Sequence, residues 1–409
     1  MGGGLRPHFF VPVKTRLLDP VRALLLTTCT PDDTKVPACA RSIHAAGGVV
    51  DVAGDRFFGQ AYWSRAIRNR IRLPHPRAGA AYVDEINRLA PSYGWNVLLP
   101  LNDYTMHAVV TNRNRLAPAL RAALPGPEAW HVSRDKLRIT ELANRIGVAA
   151  PLTFRPQDEQ EAVEAARATG YPCVVKLRRG CGAVGRRYVS SEAELKAIFR
   201  EGRKPSDTVF DFEQLLVQQW IDGEPRDACA IFAHGEPRSV YVQKKLRTWP
   251  VDGGRATIVE TIEDPAVREA GLAIMRALRW HGPIETEFRV ERRTGKPYLL
   301  DINGRTWAAI ALSVAAGLDF PAMYCRLAFT GDLEPSYDYR TGVRYRWPFP
   351  FALLSLARSD DRLQALKDFL LPAPKTYSDW RWDDPVPTLA EVLFAALRAG
   401  RLFGHAPGP

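Results

Sequence analysis

Between Tyr171 and Val189 the chain sets an apolar β-like run, Tyr171-Pro172-Cys173-Val174-Val175-Lys176-Leu177, directly before the glycine-rich stretch Arg178–Gly185. A second β-like run follows at Arg186-Arg187-Tyr188-Val189. The next helix is signalled only at Ser190/Ser191, with Glu194 as the capping-box partner of Ser191. Strand, glycine loop and strand make a hairpin, and this excludes several folds. Gly180, Gly182 and Gly185 satisfy G-x-G-x-x-G, but the dinucleotide fingerprint needs its loop to open a helix. In protein kinases the lysine follows the glycine loop, whereas Lys176 precedes it. No G-x-x-x-x-G-K-[ST] occurs, which removes the P-loop class. What remains is a hairpin whose backbone N–H groups can fold over phosphates beside Lys176. The plain alternative is a surface hairpin with a snorkelling lysine.

More than a hundred residues later, Tyr298-Leu299-Leu300 closes with Asp301-Ile302-Asn303-Gly304-Arg305. Asp301 and Asn303 are two apart and share a strand face, and an adjacent antiparallel strand can bring Glu287 to the same face. Few hard oxygen ligands, completed by phosphates, suit Mg²⁺ (or Mn²⁺). Arg305, two further along, suits the charge of a moving phosphoryl group. The competing reading is an exposed hairpin with an Asx-type turn at Asn303. A second basic cluster is Gln243-Lys244-Lys245-Leu246-Arg247-Thr248-Trp249-Pro250, followed by Gly253-Gly254, where a glycine loop can approach a phosphate or carboxylate closely.

The 409 residues, 46% hydrophobic, suit two to three packed domains. No apolar run approaches the ~18 residues of a membrane span, and Met1–Arg6 lacks the features of a signal peptide. Six scattered cysteines without a C-x-x-C pair read as small buried hydrophobes of a reducing cytosol, so a cytoplasmic location is expected. Of the net charge of +11, residues 1–150 carry 20 basic against 11 acidic side chains. Six arginines (56, 65, 68, 70, 72, 77) stand there without an acid between Arg56 and Val83. No zinc spacing, recognition helix or RNP-like strand accompanies them, so nucleic acid is not expected as a partner and a basic surface helix is the simpler reading.

Strands alternate with helices at first. Val21–Leu26, Val49–Val52 and Asn96–Pro100 read as strands, and 36–46, 60–70, 82–90 and 106–120 as helices. That order predicts a parallel sheet with ligands near its carboxyl ends, where Asp103 and His107 could face the acceptor substrate. Past the break at Leu124-Pro125-Gly126-Pro127, Ser133-Arg134-Asp135-Lys136 signals a helix start and 159–169 a further helix. Antiparallel strands follow at 213–219, 228–232, 239–243, 285–290 and 298–302, interrupted by a helix at 265–278. The tail from Ser336 to Pro409 ends in an amphipathic helix, 389–403, suited to packing on the core or on a second subunit of a homodimer.

In order and spacing these motifs resemble the ATP-grasp superfamily over residues 20–330, in the branch similar to carbamoyl-phosphate synthase and D-aspartate ligase. The resemblance implies a fold that is α/β plus α+β. An N-terminal Rossmann-like (pre-ATP-grasp) domain would span 1–130 and an ATP-grasp domain 131–330. The latter's lobes, 131–210 and 211–330, would clamp ATP, and 331–409 would be an extension. It implies that Lys136 and Lys176 contact ATP phosphates under the Gly180/Gly182/Gly185 loop. The backbone near Trp220 and Ile221 would face adenine, Gln218 or Gln219 would bond its amino group, and Glu224 would reach the ribose. Glu287, Asp301 and Asn303 match the metal signature, with Asp301 where the family usually has glutamate. Lys244, Arg247 and Arg305 are assigned to catalysis.

The expected reaction joins a small-molecule carboxylate, an amino acid or peptide, to an amine through an acyl phosphate, releasing ADP and phosphate. Positioning and charge neutralisation suffice for it, so no nucleophilic triad is needed. A bicarbonate-activating carboxylase or carbamoyl-type enzyme is the rival chemistry, weakened by the lack of a biotin-carrier lysine motif. A non-catalytic ATP-binding module is the rival class, opposed by the intact Glu287/Asp301/Asn303/Arg305 set.

Overall fold

Ala23–Leu26 are consecutive apolar residues, as a strand buried on both faces requires. In the computed structural model they lie at the centre of a four-stranded parallel sheet. The structure describes residues 20–28, 34–56, 59–180, 186–201, 215–249, 255–348 and 374–403, with a few isolated positions besides. In chain order the first unit is β1 (Arg22–Leu26), α1 (Lys35–Ala45), β2 (Val49–Gly54), β3 (Asn69–Arg72), α2 (Ala80–Tyr93), β4 (Val97–Pro100) and α3 (Asp103–Thr111). The sheet order is β3-β2-β1-β4. The chain therefore winds outward from β1 through β3 and returns to the other side of β1 at β4. The topological switch point lies between the carboxyl ends of β1 and β4.

Two expectations fail here. Residues 60–70 form a 3₁₀ turn at Gln60–Tyr62 and the approach to β3, not a helix. The arginines there are drawn to local acceptors instead of lining a basic helix. Arg68 pairs with Asp51 at 2.6 Å, Arg70 donates to the Tyr62 carbonyl, and Arg65 donates to the Asp383 carbonyl at 2.9 Å. The helix expected over 106–120 starts earlier, at Asp103, because Asn102 and Thr105 form a reciprocal capping box, and it stops at Asn112.

Two short helices follow, α4 (Pro127–Ser133) and α5 (Lys136–Arg145), the second capped by Asp135, whose carboxylate accepts from Leu137 N at 3.1 Å. A second sheet is built from β5 (Thr153–Phe154), β6 (Cys173–Leu177), β7 (Arg187–Val189) and β8 (Leu215–Gln219), with α6 (Glu159–Thr169) and α7 (Glu192–Glu201) packed on it. Its order is β5-β8-β6-β7, and β6 and β7 pair antiparallel, so the strand–loop–strand reading around Lys176 holds. The loop between them, with Gly182 and Gly185, lies outside the described residues.

The third sheet has seven strands, in the order β13-β12-β9-β10-β11-β14-β15. These are β9 (Gly223–Ala233), β10 (Glu236–Trp249), β11 (Arg255–Ile262), β12 (Gly282–Glu291), β13 (Pro297–Asn303), β14 (Arg344–Arg346) and β15 (Thr376–Ser378), accompanied by α8 (Pro265–Ala277), α9 (Ile310–Ala316), α10 (Phe320–Thr330) and α11 (Val386–Phe403). The parallel first sheet and the remaining sheets, antiparallel apart from the β14–β15 pair, give the α/β plus α+β class that was expected.

Two hydrophobic cores run across both the first and the third sheets. The second sheet has a core of its own, built from α6, α7 and β6–β8 residues such as Ala166, Val175, Leu195 and Val217. No single described helix is long and apolar enough to cross a membrane; the apolar pair α9–α10 is bent by 98° and mostly buried in the core. Cys39, Cys173, Cys229 and Cys325 are buried thiols, as expected of small hydrophobes.

Candidate functional site

The register of the third sheet brings the chemistry together. Glu287 on β12 sits opposite Asp301 on β13, and Glu285 opposite Asn303. On the other side of β12, Glu287 faces Asp227 of β9, which in turn faces Gln243 of β10. Residues directly opposite share a face, so one polar row crosses four strands. Its hydrogen bonds are mutual. Asn303 Nδ2 donates to Glu285 Oε2 at 2.8 Å and to Glu287 Oε1 at 2.7 Å. Gln243 Nε2 donates to Asp227 at 2.9 Å and to Glu285 at 3.1 Å.

Lys245 completes the row, with Nζ 2.9 Å from Glu287 Oε2 and 3.2 Å from Asp227 Oδ1. Burial and the neighbouring carboxylates push the Asp227 and Glu285 carboxyls above their ordinary range. Burial acts on Glu287 in the same direction, but Lys245 and the Asn303 amide outweigh it and hold that carboxyl below its ordinary value. Lys245 is the reverse case. Burial opposes its charge, yet three carboxylates raise its ammonium well above the lysine range.

Two further lysines converge from other elements. Lys136, first residue of α5, has Nζ 3.2 Å from Asp301 Oδ2 and 2.9 Å from the Gly180 carbonyl. Its own N–H donates to the Arg178 carbonyl at 3.1 Å, which ties α5 to the end of the β6 hairpin. Lys176 on β6 is buried, and its Nζ donates to the Leu300 carbonyl at 3.3 Å. Burial, and then repulsion from Lys136, bring its pKa down to about 7, while Asp301 and Glu287 pull the other way.

Arg305 follows β13 through Gly304, which has no room for a side chain. A Cβ there would lie 2.5 Å from the Trp280 ring and 2.9 Å from Ser133 Oγ. The guanidinium crosses to the first unit, where Nε donates to Asp103 Oδ2 at 3.0 Å. His107, one turn further along α3, has Nδ1 3.3 Å from Trp130 Nε1.

The other expected residues divide. Lys244 points to the opposite side of β10 from Lys245. Its Nζ pairs with Glu260 at 3.0 Å, and Glu260 also takes Arg344. A strand alternates its side chains, so only one of two adjacent lysines can join the row, and it is Lys245. Arg247 falls on an irregularity in the β10–β11 pairing, opposite Ile258. Around the connection between the two lobes, Gln218 is buried and bonds Thr153 Oγ1 at 2.7 Å, while Gln219 Oε1 accepts from Leu152 N at 3.3 Å. Ile221 is buried, Trp220 half-buried, and Glu224 exposed beside Arg226 and Arg292. Gly253 and Gly254 lie outside the described residues.

Sequence reasoning did not single out Asp227 or Glu285, and from the basic cluster that holds Lys245 it assigned Lys244 to the site instead. The signal for them was parity: Gln243 and Lys245, like Asp227 and Cys229 or Glu285 and Glu287, are two apart on strands that neighbour the metal-type motif.

Residues 135–335 match the model of the carbamoyl-phosphate synthase L chain ATP-binding domain. This segment contains every described residue of the row, together with Lys136, Lys176 and Arg305. Residues 135–335 form an ATP-grasp domain. The chain is 27% identical over 240 residues to the N-terminal section of the carbamoyl phosphate synthase large chain of Methanopyrus kandleri, covering 53% of this chain and 42% of that one. The chain spans less than half the length of the curated relatives it matches. Among solved structures, a biotin carboxylase from Campylobacter jejuni superposes with a TM-score of 0.63 at 16% identity, covering 79% of this chain and 74% of that one. An L-amino acid ligase from Bacillus licheniformis gives 0.57 at 16% identity, covering 77% of each. At such identities the likeness is one of fold, and it agrees with the ATP-grasp architecture.

Proposed function

We propose that this chain is an ATP-dependent carboxylate–amine ligase that forms an amide or peptide bond through an acyl phosphate. The observation that carries the reading is the convergence, at one end of β12 and β13, of Glu287, Asp301 and Asn303 with Lys136, Lys176, Lys245 and Arg305. Few polypeptide surfaces gather four cations around such acids unless a polyanion is to be held there.

Among the described residues, no three Asp, Glu, His or Cys side chains converge tightly enough to cage a metal alone. Two carboxylates and an amide, with phosphate oxygens completing the shell, fit Mg²⁺, which seldom uses an all-protein cage. Glu287, Asp301 and Asn303 would hold it. When bound, the ion supplies charge neutralisation for the triphosphate.

Lys136 and Lys176, approaching from α5 and β6, would hold the phosphates, with the connection at 218–224 as the adenine side. A substrate carboxylate oxygen then bonds the γ-phosphorus as the bond to the ADP oxygen breaks. The amine nitrogen attacks the acyl carbon, phosphate leaves with the acyl oxygen, and the amine's surplus proton passes to solvent. Arg305 is placed to meet charge that grows during transfer, so its contribution falls on turnover more than on ATP affinity. Residues 1–130, 131–330 and 331–409 remain our proposed division of the chain, and lobe 131–210 would act as the lid, a reading supported by the separate core of the described second sheet.

The fold likeness to an L-amino acid ligase over 77% of both chains favours amide formation, and the likeness to biotin carboxylase keeps bicarbonate as the rival substrate. ADP release with Mg²⁺-ATP and pooled amino acids, with and without added amines, separates them. Amide products seen by mass spectrometry support the ligase, whereas ADP release that answers only to bicarbonate overturns it.

A further inference from the structure

The Arg305–Asp103 pair joins the two halves of the molecule at a place that invites a ligand. Asp103 follows β4 directly, and the switch point between the carboxyl ends of β1 and β4 is where open α/β sheets bind their substrates. The first turn of α3 is fixed there by Asn102, whose Nδ2 donates to Thr28 Oγ1 at 3.0 Å, and by Thr105, whose hydroxyl donates to the Leu26 carbonyl at 3.3 Å. From the opposite side comes Arg305, two residues beyond Asn303.

Neither partner is sealed off: the side chains keep 13% and 23% exposure. A partly buried ion pair adds little net stability, so stability is a poor reason for placing one at the switch point. An α-amino acid carries the same two charges, separated by its α-carbon. Inserted between the pair, its carboxylate takes the guanidinium and its ammonium takes the carboxylate of Asp103. Each protein charge exchanges one opposite partner for another, and the net charge there is unchanged. A carboxylate lacking the ammonium would take Arg305 and leave Asp103 without its hydrogen-bonded partner, with only Arg134 and Lys35 as neighbouring charges.

Resting on the ligase reading above, we propose that Asp103 recognises an α-ammonium group, and that the carboxylate activated by this enzyme is that of an α-amino acid. Asp103 thereby selects the substrate to be phosphorylated, a role different from facing the amine acceptor. Arg305, Arg134 and Lys35 hold its carboxyl below the ordinary range against the effect of burial, so it stays anionic at neutral pH. It binds the ammonium as a fixed charge and is not a proton acceptor.

The test compares each proteinogenic amino acid with its des-amino carboxylate, such as alanine with propionate, by kcat/KM for ADP release in the presence of an amine. The same pairs are run with Asp103→Asn and Asp103→Glu. The wild type should prefer the amino acid by about 100-fold or more, as a site loses when one of its charges is left unpaired. Asp103→Asn should erase most of that preference by lowering the amino-acid rate far more than the des-amino rate. Asp103→Glu should restore part of it. An equal fall for both substrates in Asp103→Asn would make the pair a structural latch and overturn the proposal. Amide formation from des-amino carboxylates at the amino-acid rate in the wild type would overturn it while leaving the ligase reading intact. ADP release with bicarbonate alone would overturn both.

Discussion

Lys176 is the residue whose chemistry the fold changes most directly. Burial, with Lys136 close by, lowers its pKa from the ordinary 10.5 to about 7, so near neutrality much of it is uncharged. A triphosphate favours the ammonium form and must raise that value again. Between the free and bound values, nucleotide binding therefore takes up a proton, and affinity weakens as pH rises above 7. Calorimetry at pH 8 in buffers of different ionisation enthalpy should show net proton uptake that disappears in Lys176→Gln. Uptake of the same size in that variant would assign the shift to another group. Glu287, Asp301 and Asn303 were legible in the sequence because their spacing forces a shared face. Lys245 was not, since nothing in Gln243-Lys244-Lys245 shows which lysine faces inward until Gln243 is paired with Asp227.

At the scale of elements, the end of β13 is held by what Gly304 lacks. A methyl group at 304 would meet Trp280 and Ser133, both buried. Overpacking of this kind typically costs ~1–3 kcal/mol. Because Arg305 is the next residue, the shift is passed directly to the site. Gly304→Ala should therefore reduce kcat by at least ~10-fold, by displacement of a positioned group, while the thermal midpoint falls by a few degrees. Unchanged kcat with a lowered midpoint would show that Arg305 needs no such placement. The β6–β7 hairpin was readable because helix-start signals appear only after Val189, and the structure pairs these strands antiparallel. The 60–70 segment was misread because isolated apolar residues between arginines mimic a helical period, while Gly59 (φ 134°) and the β2–β3 pairing decide its path.

Across the whole molecule, the C-terminal region is bound to the first unit by Arg41 and Arg65, which meet the Asp379, Asp383 and Asp384 carbonyls and, with Ser64, one carboxylate. Asp384 Oδ2 lies 2.6 Å from both Arg41 Nε and Ser64 Oγ, and its Oδ1 accepts from Arg65 N at 3.0 Å. These partners hold its carboxyl below the ordinary range even though burial opposes them. A depressed carboxylate pKa stabilises the fold above the unfolded-state value and loses that contribution as pH falls through the folded-state value. Asp384→Ala should thus loosen the C-terminal segment by ~1–3 kcal/mol at pH 7. The gap from wild type should close below pH 4. Limited proteolysis after residue 374 across that pH range measures it, and equal cleavage of both proteins at pH 7 would remove Asp384 from this role. The attachment was invisible in sequence: 320 residues separate Asp384 from Ser64, and β14 and β15 are only three residues each.

The central claim, that the converged lysines, acids and Arg305 transfer a phosphoryl group to a carboxylate, is tested most directly by following one oxygen atom. With an ¹⁸O-labelled amino-acid carboxylate, ATP and an amine, the released phosphate should carry one labelled oxygen for each amide formed. Unlabelled phosphate accompanying amide formation would contradict the acyl phosphate and the reading of the site built upon it.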